Sequence, residues 1–580
     1  MTPVASRLDV DRISDRNIDG QDEPRTAFDL LRRSAERWPG RAALHFLADP
    51  ARIERARTLT FEDLFEQVCA AATLFQTHGV DAADVVAVAL SNRPEAHIAI
   101  WGAQSVATVM PINGGIPTAD FAALLALAKT RILVADAGSW ANRADEITAA
   151  CPRLTNVFLV GEAAAHAHPD VDVQDFNIAI SGIRGDLAQA PPPPEHLGII
   201  NCTAATPGRP RLVRRSLAAE MRTVCALRPM FGDLLNEGTV VAGGLPLFHN
   251  SVAAASGLLP WSQGACVITA GPRGFLNPDF VKNYWRMIAH YRVTLALLVP
   301  AVIAQLLRVP IGEADITTLS LAISGGARLS AALQRRFERA AGVRLLSSYG
   351  IVELGCLATM TPPAGERRAG SAGIALPWHR TRVAMFDDAN RFQGDCDIEE
   401  VGRLLVNGPG LLETYIDDDR GDVAWVECGD GLLWLDTGDL ASIDGDGYHW
   451  IAGRRSEVIR RGGRYVDPST IEEALLQHPM VAMAAAVARP DPVAGEVPVA
   501  YAVLREGGQS DTEALREFLR DTLTASSTDL PVDVLIVDAL PLTPLGKVDK
   551  RALQQREACV AMASIKQSLG DAANTDDATD

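Results

Sequence analysis

A lysine on a stiff turn near the C-terminus is the residue of this chain best suited to chemistry. Lys547 lies in residues 541–550, which read PLTPLGKVDK, and the two prolines restrict the backbone on either side. An ammonium group held there could bridge two anions, such as a carboxylate and a phosphate, and cancel their repulsion. The same turn alone would be typical of a surface loop, so its meaning depends on the segments that precede it.

Four further motifs precede this turn. A glycine-rich turn occupies residues 324–327 (SGGA), and residues 349–353 read YGIVE. The motif TGD at 437–439 and the dipeptide Gly453-Arg454 follow in order. Agreement of one such block by chance is easy, but agreement of five in order is not. Together they resemble the signature of the adenylate-forming superfamily, which includes the acyl-CoA synthetases and firefly luciferase.

The resemblance implies a reaction in two halves. A carboxylate attacks the α-phosphorus of ATP, releasing pyrophosphate and leaving an acyl-adenylate, and a thiol then displaces AMP from the acyl carbon. Both halves move negative charge in a small space, so cations and fixed donors must stabilise it. The implied enzyme is an acid–thiol ligase, an AMP-forming acyl-CoA synthetase of the kind used in fatty acid metabolism. Its implied partners are a carboxylic acid, ATP, Mg²⁺ and coenzyme A as co-substrate.

The resemblance also assigns a nucleotide site. The ring of Tyr349 would stack on adenine, with the glycine turn on the other side of the base, where a missing Cβ lets the backbone approach. Asp439 would accept hydrogen bonds from both ribose hydroxyls. Glu353 would help to hold Mg²⁺, which prefers oxygen ligands, together with Thr206. The implied ATP-binding residues are Thr203, Thr206, Gly208, Arg211, Gly325, Gly326, Ala327, Tyr349, Gly350, Asp439, Arg454 and Lys547.

A histidine in the segment PLFH at residues 246–249 is implied to lie at the junction of acyl group and adenylate. A lone histidine is more often a structural side chain, but the motif favours the functional interpretation here. The implied catalytic residues are Lys547, His249, Glu353 and Arg454. The implied acyl pocket is apolar and suits a fatty or an aryl acid; its residues are Phe248, His249, Val252, Ile323 and Ile351.

The phosphate-binding loop at residues 203–211 (TAATPGRPR) departs from the family pattern. Alanine hinders positive φ angles, and proline removes an N–H donor, whereas arginine in place of lysine keeps the charge. Two interpretations therefore stay open: an active enzyme with a modified loop, or an acyl- or nucleotide-binding protein whose adenylation is weak. The departures, including one that replaces a threonine after Tyr349, are Ala204, Ala205, Pro207, Arg211 and Val352.

Composition narrows the class of protein. The net charge of −18 over 580 residues argues against a nucleic-acid or anionic-membrane surface, since both need clustered cations. Nine cysteines without metal-ligand spacing favour a reduced, cytoplasmic protein. The N-terminus lacks the apolar core of a secretion signal. The longest apolar run, residues 293–307, is split by Pro300 and predicts a strand leading into a helix rather than a membrane span.

Helical patterns alternate with short Val/Ile/Ala-rich runs, which predicts an α/β fold with helix-covered, mostly parallel sheets. Thr26, Thr60 and Thr512 are predicted helix caps. After Gly453 the pattern indicates a small α+β domain, which the resemblance implies to be mobile. The predicted divisions are a flexible arm (1–24), an AMP-binding domain (25–452), a hinge (453–456), a C-terminal domain (457–557) and a disordered acidic tail (558–580).

Two residue sets in the C-terminal part follow from the resemblance. Ser456 lies at the implied hinge, and the loop at 461–464 (RGGR) would shape the coenzyme A channel through Arg461, Gly462 and Gly463. A chain with no carrier domain favours coenzyme A as acceptor, but loading of a carrier protein stays open. The identity of the acid and the oligomeric state cannot be read from the residues.

Overall fold

A computed structural model gives the fold of most of the chain. It describes all residues except 1, 21, 162–166, 185, 186, 188, 189, 204–210, 388, 417–424, 463, 506, 524–532, 542–547 and 563–580, and it describes only the backbone of residues 250 and 251. Four predicted site residues, Thr206, Gly208, Gly463 and Lys547, therefore lie outside the described residues. So do Ala204, Ala205 and Pro207 of the altered loop.

Helices and strands alternate along most of the described chain. The helices are α1 Arg7–Ser14, α2 Ala27–Arg37, α3 Phe61–Thr77, α4 Pro94–Gln104, α5 Thr118–Leu127, α6 Ala137–Trp140, α7 Ala144–Ala150, α8 Phe176–Ile180, α9 Leu217–Phe231, α10 Asn250–Ala253, α11 Leu259–Trp261, α12 Pro278–His290, α13 Pro300–Leu306, α14 Ala331–Ala341, α15 Pro468–Leu476 and α16 Thr512–Thr522. Residues 550–562 are also helical.

The strands are β1 Ala42–Leu47, β2 Arg57–Thr60, β3 Val85–Ala89, β4 Thr108–Pro111, β5 Thr130–Asp136, β6 Asn156–Val160, β7 Asp172–Asp175, β8 Ile199–Cys202, β9 Leu212–Arg215, β10 Val240–Ala242, β11 Cys266–Ala270, β12 Leu295–Leu298, β13 Leu321–Ser324, β14 Arg344–Tyr349, β15 Thr359–Met360, β16 Ile374–Ala375, β17 Arg380–Phe386, β18 Phe392–Asp395, β19 Gly402–Asn407, β20 Thr414–Ile416, β21 Trp425–Glu427, β22 Leu433–Ile443, β23 His449–Arg454, β24 Ile459–Arg461, β25 Arg464–Val466, β26 Val481–Asp491, β27 Gly495–Leu504 and β28 Asp533–Ile536.

Two large sheets dominate the first part of the chain. One has the strand order β16-β15-β14-β13-β12-β10-β11-β1-β2, and its strands from β14 to β1 are parallel. The other has the order β20-β9-β8-β4-β3-β5-β6-β7, parallel from β8 to β7. Buried side chains of α2, α3, α4 and α9 pack on these strands in one continuous core. The predicted helix-covered, mostly parallel α/β class is confirmed.

Two smaller sheets follow. A six-stranded sheet has the order β18-β17-β19-β22-β21, with β23 paired to β22. The last sheet has the order β25-β24-β27-β26, with β28 beside β27, and α15 and α16 cover it around a core that includes Ile471, Leu515 and Val534. This arrangement confirms the predicted small α+β C-terminal domain as part of the fold class.

The contacts divide the chain into two compact units. The first comprises Met1–Thr381, Val406–Leu435 and Ile443–Trp450, and the second Arg382–Leu405, Asp436–Ser442 and Ile451–Asp580. The second unit thus includes two segments that the sequence placed in the AMP-binding domain. Strand pairing over long sequence distances, which chain order does not show, is the reason for this difference.

Described residues near both ends of the chain are packed against other residues, while the flexible arm and the disordered tail stay predictions. Val4 and Val10 are buried in the core of the first unit, and Arg222 pairs with Asp19 at 2.6 Å. At the other end the helix at 550–562 continues past residue 558, with Ala561 buried. Residues 563–580 lie outside the described residues.

Two of the three predicted helix caps are present in the structure. Thr26 accepts a hydrogen bond from the Asp29 N–H at 3.2 Å, and Thr60 accepts one from the Asp63 N–H at 3.0 Å. The prediction for Thr512 is wrong, because the preceding Asp511 caps α16 through the Ala514 N–H at 2.7 Å; aspartate is as good a cap as threonine. Among the described helices, none has both the length and the apolar character needed to cross a membrane.

Three fully buried histidines make a pH-dependent prediction. Burial lowers the pKa of His97 to about 3 and those of His379 and His449 to about 4, from an ordinary value of 6.5. Between these values the unfolded chain binds protons that the folded chain excludes, so stability falls as pH decreases. Each histidine should contribute up to about 1.4 kcal/mol per pH unit between about pH 6 and pH 5.

Urea unfolding across this pH range measures the effect. The slope of the free energy of unfolding against pH should decrease by about one proton equivalent in His379→Leu. An unchanged slope in that variant would contradict the lowered pKa of His379.

Candidate active site

The carboxyl ends of parallel strands bring several predicted residues to one edge of the nine-stranded sheet. The glycine turn follows β13, the Tyr349–Gly350 pair ends β14, and the segment 246–249 follows β10. Strands β14, β13, β12 and β10 are adjacent and parallel in this sheet. Such an edge is where open α/β sheets bind ligands, so the first unit places the adenine and acyl candidates along the expected edge.

The glycines at this edge are required by close packing. Gly326 has a φ of +75°, which favours glycine. A Cβ on Gly325 would lie 2.9 Å from Ser348 Oγ, whose hydroxyl donates to the Ser324 carbonyl at 3.0 Å. A Cβ on Gly350 would collide with the carbonyl oxygen of Cys356. Close packing therefore fixes the turns that follow β13 and β14 at the positions of these glycines.

Glu353 lies on a 3₁₀ turn, Val352–Leu354, directly after this edge. Its carbonyl accepts from the Leu412 N–H at 2.8 Å, and its Oε1 accepts from the Tyr415 hydroxyl at 3.2 Å. The guanidinium of Arg211 lies over the Tyr415 ring, 3.8 Å from the centroid. A cation, an aromatic ring and a carboxylate thus form a continuous cluster, which we call the Arg211–Tyr415–Glu353 cluster.

Arg211 of this cluster also pairs with Thr203 at the base of the phosphate-binding loop. Strands β8 and β9 form an antiparallel hairpin in which Cys202 pairs with Leu212. Beyond that pair, the Thr203 N–H donates to the Arg211 carbonyl at 2.9 Å, and the Arg211 N–H donates to Thr203 Oγ1 at 3.2 Å. Residues 204–210 lie outside the described residues, but both ends of the loop are held in place. The structure therefore brings the predicted residues Thr203, Arg211 and Glu353 together.

A divalent cation fits the chemistry of this cluster. Mg²⁺ commonly takes one or two carboxylates and completes its coordination with water and substrate phosphates. Glu353 supplies one partly exposed carboxylate, oriented by the Tyr415 hydroxyl. Within the described part of the chain, no three His, Cys, Asp or Glu side chains are grouped to hold a metal by themselves. Glu353 suits a metal that arrives with a nucleotide rather than one held by the protein alone.

A buried arginine lies on the strand that follows the phosphate-binding loop. Arg215 is fully buried on β9, and its Nη2 donates to Asn201 Oδ1 at 3.1 Å on β8. A Cβ on Gly355, two residues after Glu353, would collide with the Arg215 guanidinium. Burial lowers the pKa of Arg215, and the nearby Glu220 opposes that shift. Arg215 thus joins the hairpin that carries the phosphate loop to the turn that carries Glu353.

The predicted acyl residues occupy different elements of the first unit. The Phe248 and His249 rings lie 4.5 Å apart in the turn before α10, with Phe248 partly buried and His249 exposed. Ile323 is buried on β13, while Val252 and Ile351 are partly buried on α10 and after β14. Asn92, just before α4, holds the turn that carries Phe248 and His249. Its side chain accepts a hydrogen bond from the Leu247 N–H at 3.0 Å and donates one to the Leu245 carbonyl at 2.9 Å.

In the second unit, Asp439 and Arg454 form a close ion pair. Arg454 Nε lies 3.0 Å from Asp439 Oδ1, and its Nη1 donates to the Thr437 carbonyl at 3.1 Å. Gly438 has a φ of +75°, and its N–H donates to Asp436 Oδ1 at 2.9 Å. Asp439 is nearly fully buried. The structure brings these two predicted residues together as a partly buried ion pair.

The remaining predicted residues of the second unit lie on turns. Ser456 is exposed in the turn after β23. Arg461 pairs with Arg464 at the end of the β24–β25 hairpin, and Gly462, with a φ of +55°, donates its N–H to the Ala494 carbonyl at 2.8 Å. The hairpin presents two arginines at one turn, and guanidinium groups are well suited to binding an anion.

The ends of the segment that carries Lys547 are described although the lysine itself is not. The Asp549 N–H donates to the Pro541 carbonyl at 2.8 Å, so the described residues on either side of 542–547 are held together. Lys550 then pairs with Glu457 at 3.0 Å and with Glu472 at 2.9 Å. The base of this segment is therefore anchored to the residue that follows Ser456.

Removing the Tyr415 hydroxyl should weaken nucleotide chemistry moderately. In Tyr415→Phe the ring under Arg211 remains, but Glu353 loses the hydrogen bond that orients its carboxylate. We expect adenylation kcat/KM to fall about tenfold, the scale of one hydrogen bond to a charged group. An ATP–pyrophosphate exchange assay, repeated over a range of Mg²⁺ concentrations, measures this loss of kcat/KM.

Tyr448→Phe is a matched control. Tyr448 also lies beneath an arginine, with Arg368 4.4 Å from its centroid, and its hydroxyl donates to the Glu366 carbonyl at 2.8 Å, outside the cluster. An equal loss in both variants would mean that Tyr415 acts only through stability.

Comparison with known proteins identifies the family of the chain. A family model described as AMP-binding enzyme matches residues 31–416, and one described as AMP-binding enzyme C-terminal domain matches residues 470–547. The chain is 30% identical over 558 residues to a marinolic acid–CoA ligase of Pseudoalteromonas sp. (strain SANK 73390), covering 94% of this chain and 83% of that protein. It is 25% identical over 563 residues to a long-chain-fatty-acid–CoA ligase of Bacillus subtilis (strain 168), covering 92% and 95%.

A solved structure has the same fold. An anthranilate CoA ligase, AuaEII, in complex with anthranoyl-AMP superposes with a TM-score of 0.77 at 22% identity, covering 95% of this chain and 99% of that one. The likeness extends over both the large sheets and the small C-terminal sheet.

Proposed function

The chain belongs to the AMP-binding enzyme family, and from this premise we propose that it activates a carboxylic acid with ATP and passes the acyl group to coenzyme A. It is an acid–thiol ligase, in keeping with its curated relatives. The products of the first half would be an acyl-adenylate and pyrophosphate, and those of the second an acyl thioester and AMP.

The observation that carries the proposal is the Arg211–Tyr415–Glu353 cluster. The Arg211 guanidinium over the Tyr415 ring, and the Tyr415 hydroxyl bound to Glu353, support a role for this cluster in binding Mg·ATP. Bound Mg²⁺ would offset the charge of the phosphates. The cluster also supports an active enzyme over a binding-only protein, because the Arg211 guanidinium retains the charge of the lysine that the family carries.

The remaining residues have separate roles in the proposal. Tyr349 and the glycine turn bind adenine, Asp439 accepts from the ribose hydroxyls, and Lys547 bridges the acid carboxylate and the α-phosphate. His249 lies at the acyl–adenylate junction, and the hairpin around Gly462 meets coenzyme A. The family resemblance supports these roles, and the fixed turns and ion pairs described above suit them.

Product analysis tests the proposal. Purified protein is incubated with ATP, Mg²⁺, coenzyme A and a panel of fatty, aryl and dicarboxylic acids, and acyl-CoA and AMP are quantified by mass spectrometry. The proposal predicts equal amounts of acyl-CoA and AMP with at least one class of acid. AMP formation that depends on a pantetheine-loaded carrier protein instead would assign a different acceptor, and no product with any acid would contradict the proposal.

A further inference from the structure

One histidine lies in the core without a hydrogen-bond partner. His97 is fully buried on α4, and within the described part of the chain neither of its ring nitrogens has a hydrogen-bond partner. Neutral imidazole carries one donor and one acceptor. Leaving both unpaired in a protein interior is unfavourable, and an apolar side chain of similar size would avoid it. The position of His97 therefore needs an explanation other than packing.

Two polar side chains near His97 have hydrogen bonds elsewhere. The ring packs edge-on against Trp261 at 4.9 Å, but the Trp261 indole N–H donates to the Ala43 carbonyl at 2.9 Å. The Ser256 hydroxyl, one residue from the contact with His97, donates to the Val252 carbonyl at 2.6 Å. These neighbouring donors cannot serve His97 without losing their own partners.

His97 lies against the helix that begins in the predicted acyl pocket. Residues 250–261 are continuously helical, and the middle of this run, Ala254–Leu258, is a π-helix. A Cβ on Gly257 would lie 3.2 Å from His97 Cε1, so the imidazole packs directly on the backbone of that glycine. Val252 is five residues earlier, about 7 Å along the helix axis. π-helical turns are often found at functional sites.

The residues between these two positions are small. Ala253, Ala254, Ala255, Ser256 and Gly257 separate Val252 from the large side chains of the next turn. Small residues alone would not define a site, but here a buried, unpaired imidazole faces the last of them. An acyl chain that enters beside Val252 and follows this helix would approach His97 at its inner end.

The protonation state of His97 selects the kind of group it could bind. Burial lowers its pKa to about 3, so the ring stays neutral at any pH at which the protein would work. A neutral ring has no charge to pair with a second carboxylate. It can donate one hydrogen bond and accept one, as a hydroxyl group can in return.

We propose that His97 is a specificity-determining residue, and that the acid bound by this chain carries a hydroxyl group on an otherwise apolar acyl chain. The inference rests on the proposed acid-binding function of the same site and names its substrate class. In complex with such an acid, the hydroxyl would pair with the ring nitrogens; an unsubstituted acid would leave them unpaired.

Calorimetric binding tests the proposal directly. Unsubstituted medium- and long-chain fatty acids are compared with their monohydroxy counterparts, with the hydroxyl at each position along the chain, using the full-length protein with ATP. At least one hydroxy acid should bind at least about tenfold more tightly than its unsubstituted counterpart, and His97→Leu should remove that preference. Equal affinities throughout, or a preference that survives in His97→Leu, would overturn the proposal.

His449 is a matched control for stability. It is as buried as His97, but its ring nitrogens have partners, Thr381 Oγ1 at 2.8 Å and the Gly373 carbonyl at 3.1 Å. His449→Leu should lower the free energy of unfolding, and His97→Leu should leave it unchanged or raise it. An equal loss in both would mean that a structural water pairs with His97, and the proposal would fail.

Pyrophosphate exchange with the same acids separates this inference from the proposed function. A His97-dependent preference in binding without any exchange would support the specificity and contradict catalysis. Exchange with unsubstituted and hydroxylated acids at equal kcat/KM, together with equal affinities, would support catalysis and contradict the specificity.

Discussion

Lys547→Ala is expected to lower the rate of adenylation by at least ~10²-fold, the scale of one preorganised electrostatic contact. Without the ammonium group, the acid carboxylate and the α-phosphate would approach as two uncompensated anions. The base of the loop should persist, since the Asp549–Pro541 hydrogen bond and the Lys550 ion pairs do not involve residue 547.

The two half-reactions distinguish this role from a loss of structure. Thioester formation from supplied acyl-adenylate and coenzyme A should remain largely intact in Lys547→Ala. Lys282→Ala, at an exposed position on α12, is the control and should leave both halves unchanged. If Lys547→Ala slowed both halves equally, the assignment of Lys547 to the first step would be wrong.

Glu353→Gln should have the second large effect. Glutamine keeps the shape of the side chain and its contact with Tyr415, but it removes the negative charge offered to the cation of Mg·ATP. We expect adenylation kcat/KM to fall ~10²-fold, since an ion that clamps phosphate contributes several kcal/mol. The Mg²⁺ concentration needed for half-maximal exchange should rise as well.

The Mg²⁺ titration is the informative measurement for this variant. Glu313→Gln, an exposed carboxylate outside the site, is the control and should show the wild-type titration. A Glu353→Gln variant with lower activity but an unchanged Mg²⁺ midpoint would exclude Glu353 as a metal ligand and leave it a purely positional role on its turn.

Local patterns explain why much of the fold could be predicted. The strand-to-helix transition at residues 293–307 appears as β12 and α13, and the capping box at Thr60 is present as predicted. The glycine turn after β13 and the motif after β14 lie at the expected edge because their positions depend on neighbouring hydrophobic runs. Such features are encoded within a few residues and are therefore readable from one sequence.

The features that could not be predicted depend on contacts between residues far apart in the sequence. Tyr415 lies 62 residues from Glu353 and belongs to none of the five motifs, so no pattern indicated its role. Arg215 is fully buried on β9, and no local pattern indicated its burial. His97 belongs to none of the five motifs, and only the absence of hydrogen-bond partners among the described residues sets it apart. The departures Ala204, Ala205 and Pro207 lie outside the described residues, and their effect on adenylation stays a prediction.

Acid-dependent ATP–pyrophosphate exchange is the most direct test of the central claim. Purified protein is assayed with fatty, hydroxy-fatty, aryl and dicarboxylic acids, with Lys547→Ala as the control. We expect exchange that requires one class of acid and is lost in the variant, despite the altered phosphate loop. Protein that binds ATP but supports no exchange with any acid would contradict the proposed adenylation and identify the chain as a nucleotide-binding member of its family.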